Sequence, residues 1–234
     1  MTDYLQQAGL ELTAAQLAAA QQALAAALTV PAAANYPDLY RYPVPKLGEG
    51  GSCSLIDELE AEPWDIAPQF GGESLPLAQQ LLALQALLDA VLTQVPADWL
   101  GVYCRVPRPE ADVLLKLAYR GLPSRAEFPL TEAFAAASNN SKVGRSGRGV
   151  VIDDVRQWQG EGGAYYECDP KVRSEVCLPV FDAAGEVIGI LDAESAQPGF
   201  FHAGHQATLA ALACALSAHF VSLRALAKSA ATVL

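Results

Sequence analysis

The sequence predicts an α+β fold: an antiparallel sheet with helices packed on one face, a ligand pocket on the other, and an N-terminal helical extension. Three observations carry this. Five strand-length apolar stretches fall between residues 99 and 195, separated by irregular connections. The last two are joined by the tight turn AAGE, which makes an antiparallel hairpin. Long runs of helical period stand before the first strand and after the last, so the helices and the sheet form separate layers.

Taken in order, residues 12–29 (LTAAQLAAAQQALAAALT) combine strong helix propensity with a weak apolar face. Alanine buries little area, so this helix needs a partner, in the same chain or in a second copy. Residues 31–76 are proline-rich and carry Tyr36, Tyr40, Tyr42 and Trp64. Little regular structure is expected there, and the aromatics argue that the segment drapes over a surface. The run SLPLAQQLLALQALLDAVLTQV is a core helix, with Ser74 as N-cap and Pro76 in the first turn. WLGVYCRV (99–106) alternates as a strand, and DVLLKLAYRG (112–121) pairs with it. Residues 123–149 form a variable connection, with a short Ala-rich helix near 131–137. SKVGRSGRG (141–149) lacks the spacing of a phosphate-binding loop and is expected to be a turn. GVVIDDV (149–155), SEVCLPVFD (174–182) and VIGILDAES (187–195) are the remaining strands, with a long loop after the first of them. Residues 1–74 are assigned to the extension and 75–234 to the main domain.

A formal charge of −11 disfavours binding to nucleic acid or to an anionic membrane. The start MTDYLQQAGL has no basic segment followed by an apolar one, so no secretion signal is expected. Near the C-terminus, ATLAALACALSAHFVSLRALA is apolar enough to suggest a membrane span. Yet Leu209, Leu212, Leu216, Phe220, Leu223 and Leu226 share one helical stripe, while His219, Ser222 and Arg224 interrupt the remainder. A helix packed on a sheet is the expectation. The cysteines at 53, 104, 168, 177 and 214 are odd in number and contain no CxxC, which points to reduced thiols and a cytoplasmic setting. His202 and His205 lack an evident third ligand, so no metal site is expected.

Side chains alternate along a strand, so Glu175, Cys177 and Pro179 share one face, and Ile190, Asp192 and Glu194 share a face of the next strand. If the hairpin forms, three carboxylates converge near one end. Buried together, they repel, and at least one holds a proton near neutral pH. Such a cluster can receive an ammonium and can also donate a proton. Other readings stay open here. Glu175 could pair with Arg173 or Lys171. Asp192 and Glu194 could be solvated residues at the strand end. Trp99 and Tyr103 could be plain aromatic core.

VRSEVCLPVFDAAGEVIGILDAES, followed by FFHAGHQATLAALA, resembles the last two strands and the helix of a GAF domain. The pattern spans about residues 75–225 and is strongest over 149–220. One branch, the free methionine-(R)-sulfoxide reductases, resembles the chain more narrowly. It carries a pocket-loop cysteine seven residues before a strand glutamate, and two acids at the end of the next strand. Cys168, Glu175, Asp192 and Glu194 match those positions, and Trp99 and Tyr103 resemble that branch's aromatic pocket wall. The resemblance implies Cys168 as nucleophile, with Glu175, Asp192 and Glu194 in catalysis. Those three acids, with Trp99 and Tyr103, would bind free methionine sulfoxide. It implies no bound cofactor and an external, thioredoxin-like thiol reductant. Two further cysteines of that branch are replaced here by Arg125 and Asn140, or their neighbours, which removes the usual resolving disulfide. Cys177 is the local candidate for a resolving thiol, since it shares the face of Glu175. Cys104 shares its face with Leu100 and Val102 and is expected to face the helices, and Cys214 to be plain packing. GAF domains serve as sensors as well as enzymes, so a non-catalytic ligand-binding module signalling through a partner is the second expectation. A homodimer through the helices suits either.

Overall fold

The structure, a computed structural model, describes residues 3–28, 38–48, 54–163, 165–166 and 169–232. Tyr36, Cys53 and Cys168 lie outside the described residues.

The chain begins with two short helices, α1 (Tyr4–Ala8) and α2 (Ala14–Ala27). Thr13 and Gln16 form a reciprocal capping box at the start of α2, which offsets its poor apolar face. Its partner is in the same chain: Ala20 and Leu24 are buried against the core, and α2 packs on the C-terminal helix.

The proline-rich segment holds more regular structure than the sequence suggests. Strands β1 (Arg41–Tyr42), β2 (Pro45–Leu47), β3 (Ser54–Leu59) and β4 (Trp64–Asp65) form two small antiparallel pairs, β1 with β4 and β2 with β3. Pairing supplies the ladder hydrogen bonds that proline composition alone does not reveal. A 3-10 turn at Ala67–Phe70 follows, and Ile66, Ala67 and Phe70 enter the main core. Helix α3 (Leu75–Leu92) starts at Ser74, whose side chain accepts from the Leu77 amide. Its stripe of Leu77, Leu81, Leu84, Leu88 and Val91 is fully buried. Each such side chain contributes about 1.5–3 kcal/mol relative to exposure.

The main sheet contains β5 (Trp99–Val106), β6 (Val113–Arg120), β7 (Glu127–Pro129), β8 (Val150–Ile152), β9 (Ser174–Phe181) and β10 (Val187–Ser195). Its spatial order is β7-β6-β5-β10-β9-β8, and every neighbouring pair is antiparallel. Helix α7 (Ala203–Thr232) and α3 cover one face, and the stripe Leu209, Leu212, Leu216, Phe220 and Leu223 is completely buried there. Leu75–Leu92 and Ala203–Ala227 are long and apolar enough to cross a bilayer, and both pack on the sheet.

The other face carries α4 (Glu132–Ala135), α5 (Asn139–Ser146) and α6 (Val155–Gly160) with their connections. Here the sequence reading needs correction. Residues 141–149 are not simply a turn, because residues up to Ser146 belong to α5. Ser138 caps that helix by accepting from the Ser141 amide, and packing on β9 and β10 outweighs its low propensity. Strand β7 also went unforeseen, because three residues are too few to show a period.

Candidate functional site

The site is built on the hairpin of β9 and β10. Alternation sends Val176, Leu178 and Val180 into the core beneath the helices, with Leu191 and Ala193. Cys177 and Ile190 point the other way, into a second apolar cluster with Trp99, Tyr103 and Phe128. Cys104 belongs to the helix-side core, as its alternation predicts. The register sets Glu194 directly opposite Glu175, and Asp192 opposite Cys177. Residues so paired have Cβ atoms about 5 Å apart. The structure therefore brings Glu175, Asp192 and Glu194 together.

Helix α5 supplies their partners. Asn139 Nδ2 donates to Glu175 Oε1 at 3.2 Å, and Asn140 Nδ2 donates to Asp192 Oδ2 at 3.1 Å. The Tyr165 side chain also bonds to Glu175. Glu175 and Asp192 are each only 3% exposed, whereas Glu194 is half-buried. Burial pushes the Glu175 carboxyl up to about 8, the neighbouring Asp192 charge adds to this, and the Tyr165 and Asn139 bonds offset part of it. Burial raises Asp192 to about 7 against the bonds from Asn140 and the Ala193 amide. Glu194 is raised well above the usual carboxylate range by burial first, then by Asp192 and Glu175. The cluster therefore retains protons at neutral pH. Asp192 Oδ1 and Asn140 Oδ1 are both buried without a hydrogen-bond partner. Two orphaned acceptors on hydrogen-bonded side chains call for a donor: a proton on Asp192, or an N–H group from a ligand.

Beside these carboxylates lies a cavity of about 240 Å³. Trp99, Tyr103 and Phe128 form its apolar wall, Asn140, Asp192 and Glu194 its polar end, and Leu122, Pro123 and Ser124 a strip of its rim. Tyr103 lies 6.3 Å from Trp99 and 5.4 Å from Phe128, centroid to centroid. Two glycines make room for the Trp99 indole. A Cβ at Gly101 would stand 2.1 Å from Trp99 Cη2. At Gly121, φ is +114° and a Cβ would meet Trp99 Cδ1 at 2.6 Å. The indole Nε1 then donates to Leu122 O at 3.0 Å. Trp99 and Tyr103 are thus both aromatic core and cavity wall.

Arg173 is engaged by Asp154, Nη2 to Oδ2 at 2.6 Å, and Lys171 lines the cavity rim. Asp192 is too buried to be a solvated strand end. Cys177 shares the face of Glu175 but is fully buried, and burial, with Asp192, Glu175 and Glu194 nearby, raises its thiol well above the ordinary range. A thiol so placed stays protonated. Asn140 lines the cavity, and Arg125 is buried outside its lining. Arg125 Nε donates to Glu127 O at 2.6 Å and Nη1 to Tyr166 Oη at 2.9 Å, with the guanidinium 4.8 Å from the Phe134 ring. Cys168 is outside the described residues. Its sequence neighbour Asp169 lines the cavity, and Tyr166 packs on Phe128 and Phe134. His202 and His205 stack with centroids 3.8 Å apart, and His205 Nδ1 contacts Phe200 O at 2.8 Å. Among the described residues no group of three His, Cys, Asp or Glu side chains is arranged to hold a metal ion.

Sequence reasoning missed the pairing of Asn139 and Asn140 with the carboxylates, and the parts played by Tyr165 and Phe128. The only local signal was Ser138, an N-cap residue that would have turned the asparagines into a first helical turn.

A family model for the GAF domain matches residues 82–219. The chain belongs to the GAF domain family. No curated protein matches it in sequence. The type II free methionine-R-sulfoxide reductase of Thermoplasma acidophilum superposes with a TM-score of 0.53 at 22% identity, over 62% of this chain and 94% of that one. Free methionine-R-sulfoxide reductase from Neisseria meningitidis, in complex with its substrate, gives 0.51 at 23% identity, over 69% and 89%. A putative GAF sensor protein from Burkholderia vietnamiensis gives 0.45 at 17% identity, over 89% and 92%. At these identities the two reductase similarities show the GAF fold alone.

Proposed function

We propose that this GAF protein reduces free methionine-(R)-sulfoxide, with Cys168 as the nucleophile. The observation that carries the reading is the acid cluster at the end of an aromatic cavity, with two buried acceptors lacking a donor. An ionised member of the cluster receives the ammonium of an amino acid. The aromatic wall of Trp99, Tyr103 and Phe128 takes the apolar end of the side chain. A protonated member gives its proton to the sulfoxide oxygen as the Cys168 thiolate attacks sulfur. Oxygen passes to the thiol, so Cys168 becomes a sulfenic acid and methionine leaves. One external thiol then condenses with the sulfenic acid, releasing water and forming a mixed disulfide. A second thiol releases Cys168 and carries away the disulfide. The raised thiol of Cys177 suits this resolving step poorly, so a thioredoxin-like reductant is the better donor. The same reading includes a cytoplasmic setting and a homodimer formed through the helices.

A specific observation favours a second reading, a non-catalytic GAF module that binds a small ligand and signals through a partner. Arg125 and Asn140, or their neighbours, stand where the reductase branch is expected to carry cysteines; Asn140 is bonded to Asp192 in the cavity, and Arg125 is bonded to Tyr166. The two readings separate on methionine release from free methionine-(R)-sulfoxide with dithiothreitol. Release by the wild type that vanishes in Cys168→Ser supports the reductase. A wild type without release sinks it and leaves the binding module.

A further inference from the structure

We infer that Lys116 is a positioning residue that ties the N-terminal extension to the wall of the ligand cavity. Residues 38–48 and 54–70 are then part of the functional unit.

The extension precedes the matched family segment, which starts at residue 82. It reaches the main domain at Tyr42, whose hydroxyl donates to Lys116 O at 2.8 Å in a buried contact. The Lys116 side chain is completely buried. Its ammonium lies 4.7 Å from the Tyr42 ring and 4.1 Å from the Tyr119 ring. It also donates to Ser124 O at 2.5 Å and to Ser124 Oγ at 2.8 Å. Ser124 is part of the cavity rim. Tyr119 stacks on Trp99, the cavity wall, with centroids 6.2 Å apart and planes 23° from parallel. One ammonium thus touches the extension, the cavity rim at Ser124, and the ring of Tyr119 that backs Trp99.

Local geometry is arranged for this. The β5–β6 register shifts between Val102 and Tyr103, so Tyr103 pairs with Lys116 while Val102 pairs with Ala118. The bulge offsets the alternation by one residue and lets Lys116 and Tyr119, three apart, reach the same point. Burying an ammonium is costly unless several groups hold it. Here two hydrogen bonds and two ring faces do so. An apolar side chain would fill the space with less electrostatic cost but would leave Ser124 unheld. The physical return on burying this cation is therefore the placement of residues 121–126 against Trp99.

The decisive experiment follows backbone hydrogen exchange in the full chain, comparing wild type with Tyr42→Leu and Lys116→Met. We expect the amides of Gly121, Leu122 and residues 124–126 to exchange about threefold to tenfold faster in Tyr42→Leu, and more in Lys116→Met, with α3 unchanged. In parallel, KM for methionine-(R)-sulfoxide should rise by a similar factor with kcat nearly constant. That kinetic arm alone rests on the reductase reading, and a wild type without methionine release removes that reading while exchange still decides this one. Should Lys116→Met fail to fold, Tyr42→Leu, which removes the ring from the ammonium as well as the hydroxyl bond, carries the test. Exchange at Gly121, Leu122 and residues 124–126 equal to wild type in a folded variant, or a uniform rise that includes α3, overturns the assignment.

Discussion

Asp192→Asn should make the ligand-free protein more stable at pH 8 and leave it nearly unchanged at pH 4. Burial moves the Asp192 carboxyl from 3.8 to about 7 in the folded chain. Between those values the native state binds a proton that the unfolded chain has lost. Stability from this group is complete below the unfolded pKa and declines, by up to about 1.4 kcal/mol per pH unit, until the folded carboxyl ionises. The full interval corresponds to a penalty on the order of 4 kcal/mol at pH 8. Asparagine has no proton to lose, and its amide can supply a donor to acceptors that now lack one, Asn140 Oδ1 among them. Rotation of the carboxylate towards the cavity relieves part of the wild-type penalty, so a gain of about 1–3 kcal/mol is expected. Glu175 and Glu194 are raised for the same reason and act in the same direction. His205 and His219 act oppositely: burial lowers both, so their contribution to stability grows as pH rises through the ordinary histidine range. Subtracting the wild-type curve from that of the variant cancels the histidines. The assay is urea denaturation of both proteins from pH 4 to pH 8. A difference that stays flat, or that favours the wild type at pH 8, refutes the buried-carboxylate argument.

Two further predictions come from the same site. Gly101→Ala should displace the Trp99 indole, lowering stability by about 1–3 kcal/mol and weakening ligand binding, as denaturation and titration with methionine-(R)-sulfoxide would measure; unchanged stability would show that the indole moves freely. Cys177 should resist iodoacetamide in the folded protein at pH 8 and react on unfolding, as mass spectrometry would read, because its thiol is buried and its pKa is raised. Prompt native-state labelling would reopen a resolving role.

The acid cluster was legible because a strand of period 2 and a four-residue turn leave few choices of register. Glu175, Asp192 and Glu194 then must share a face, and their apolar neighbours send the opposite face to the helices. The helix stripe from Leu209 to Leu223 was legible for the equivalent reason at helical period. The small strands of the extension and helix α5 were not. They are short, poor in periodic signal, and stabilised by surfaces that come from elsewhere in the chain.

The sequence by itself thus determined the layer order, the hairpin register and the acids that face the cavity, since these depend on local periodicity. Only the tertiary structure decided what meets those acids. Asn139 and Asn140 reach Glu175 and Asp192 across 36 and 52 residues, Tyr42 reaches Lys116 across 74, and Arg173 turns to Asp154 instead of Glu175. No local pattern encodes such contacts. They form when distant segments bury polar groups together, and each buried group must then find a partner.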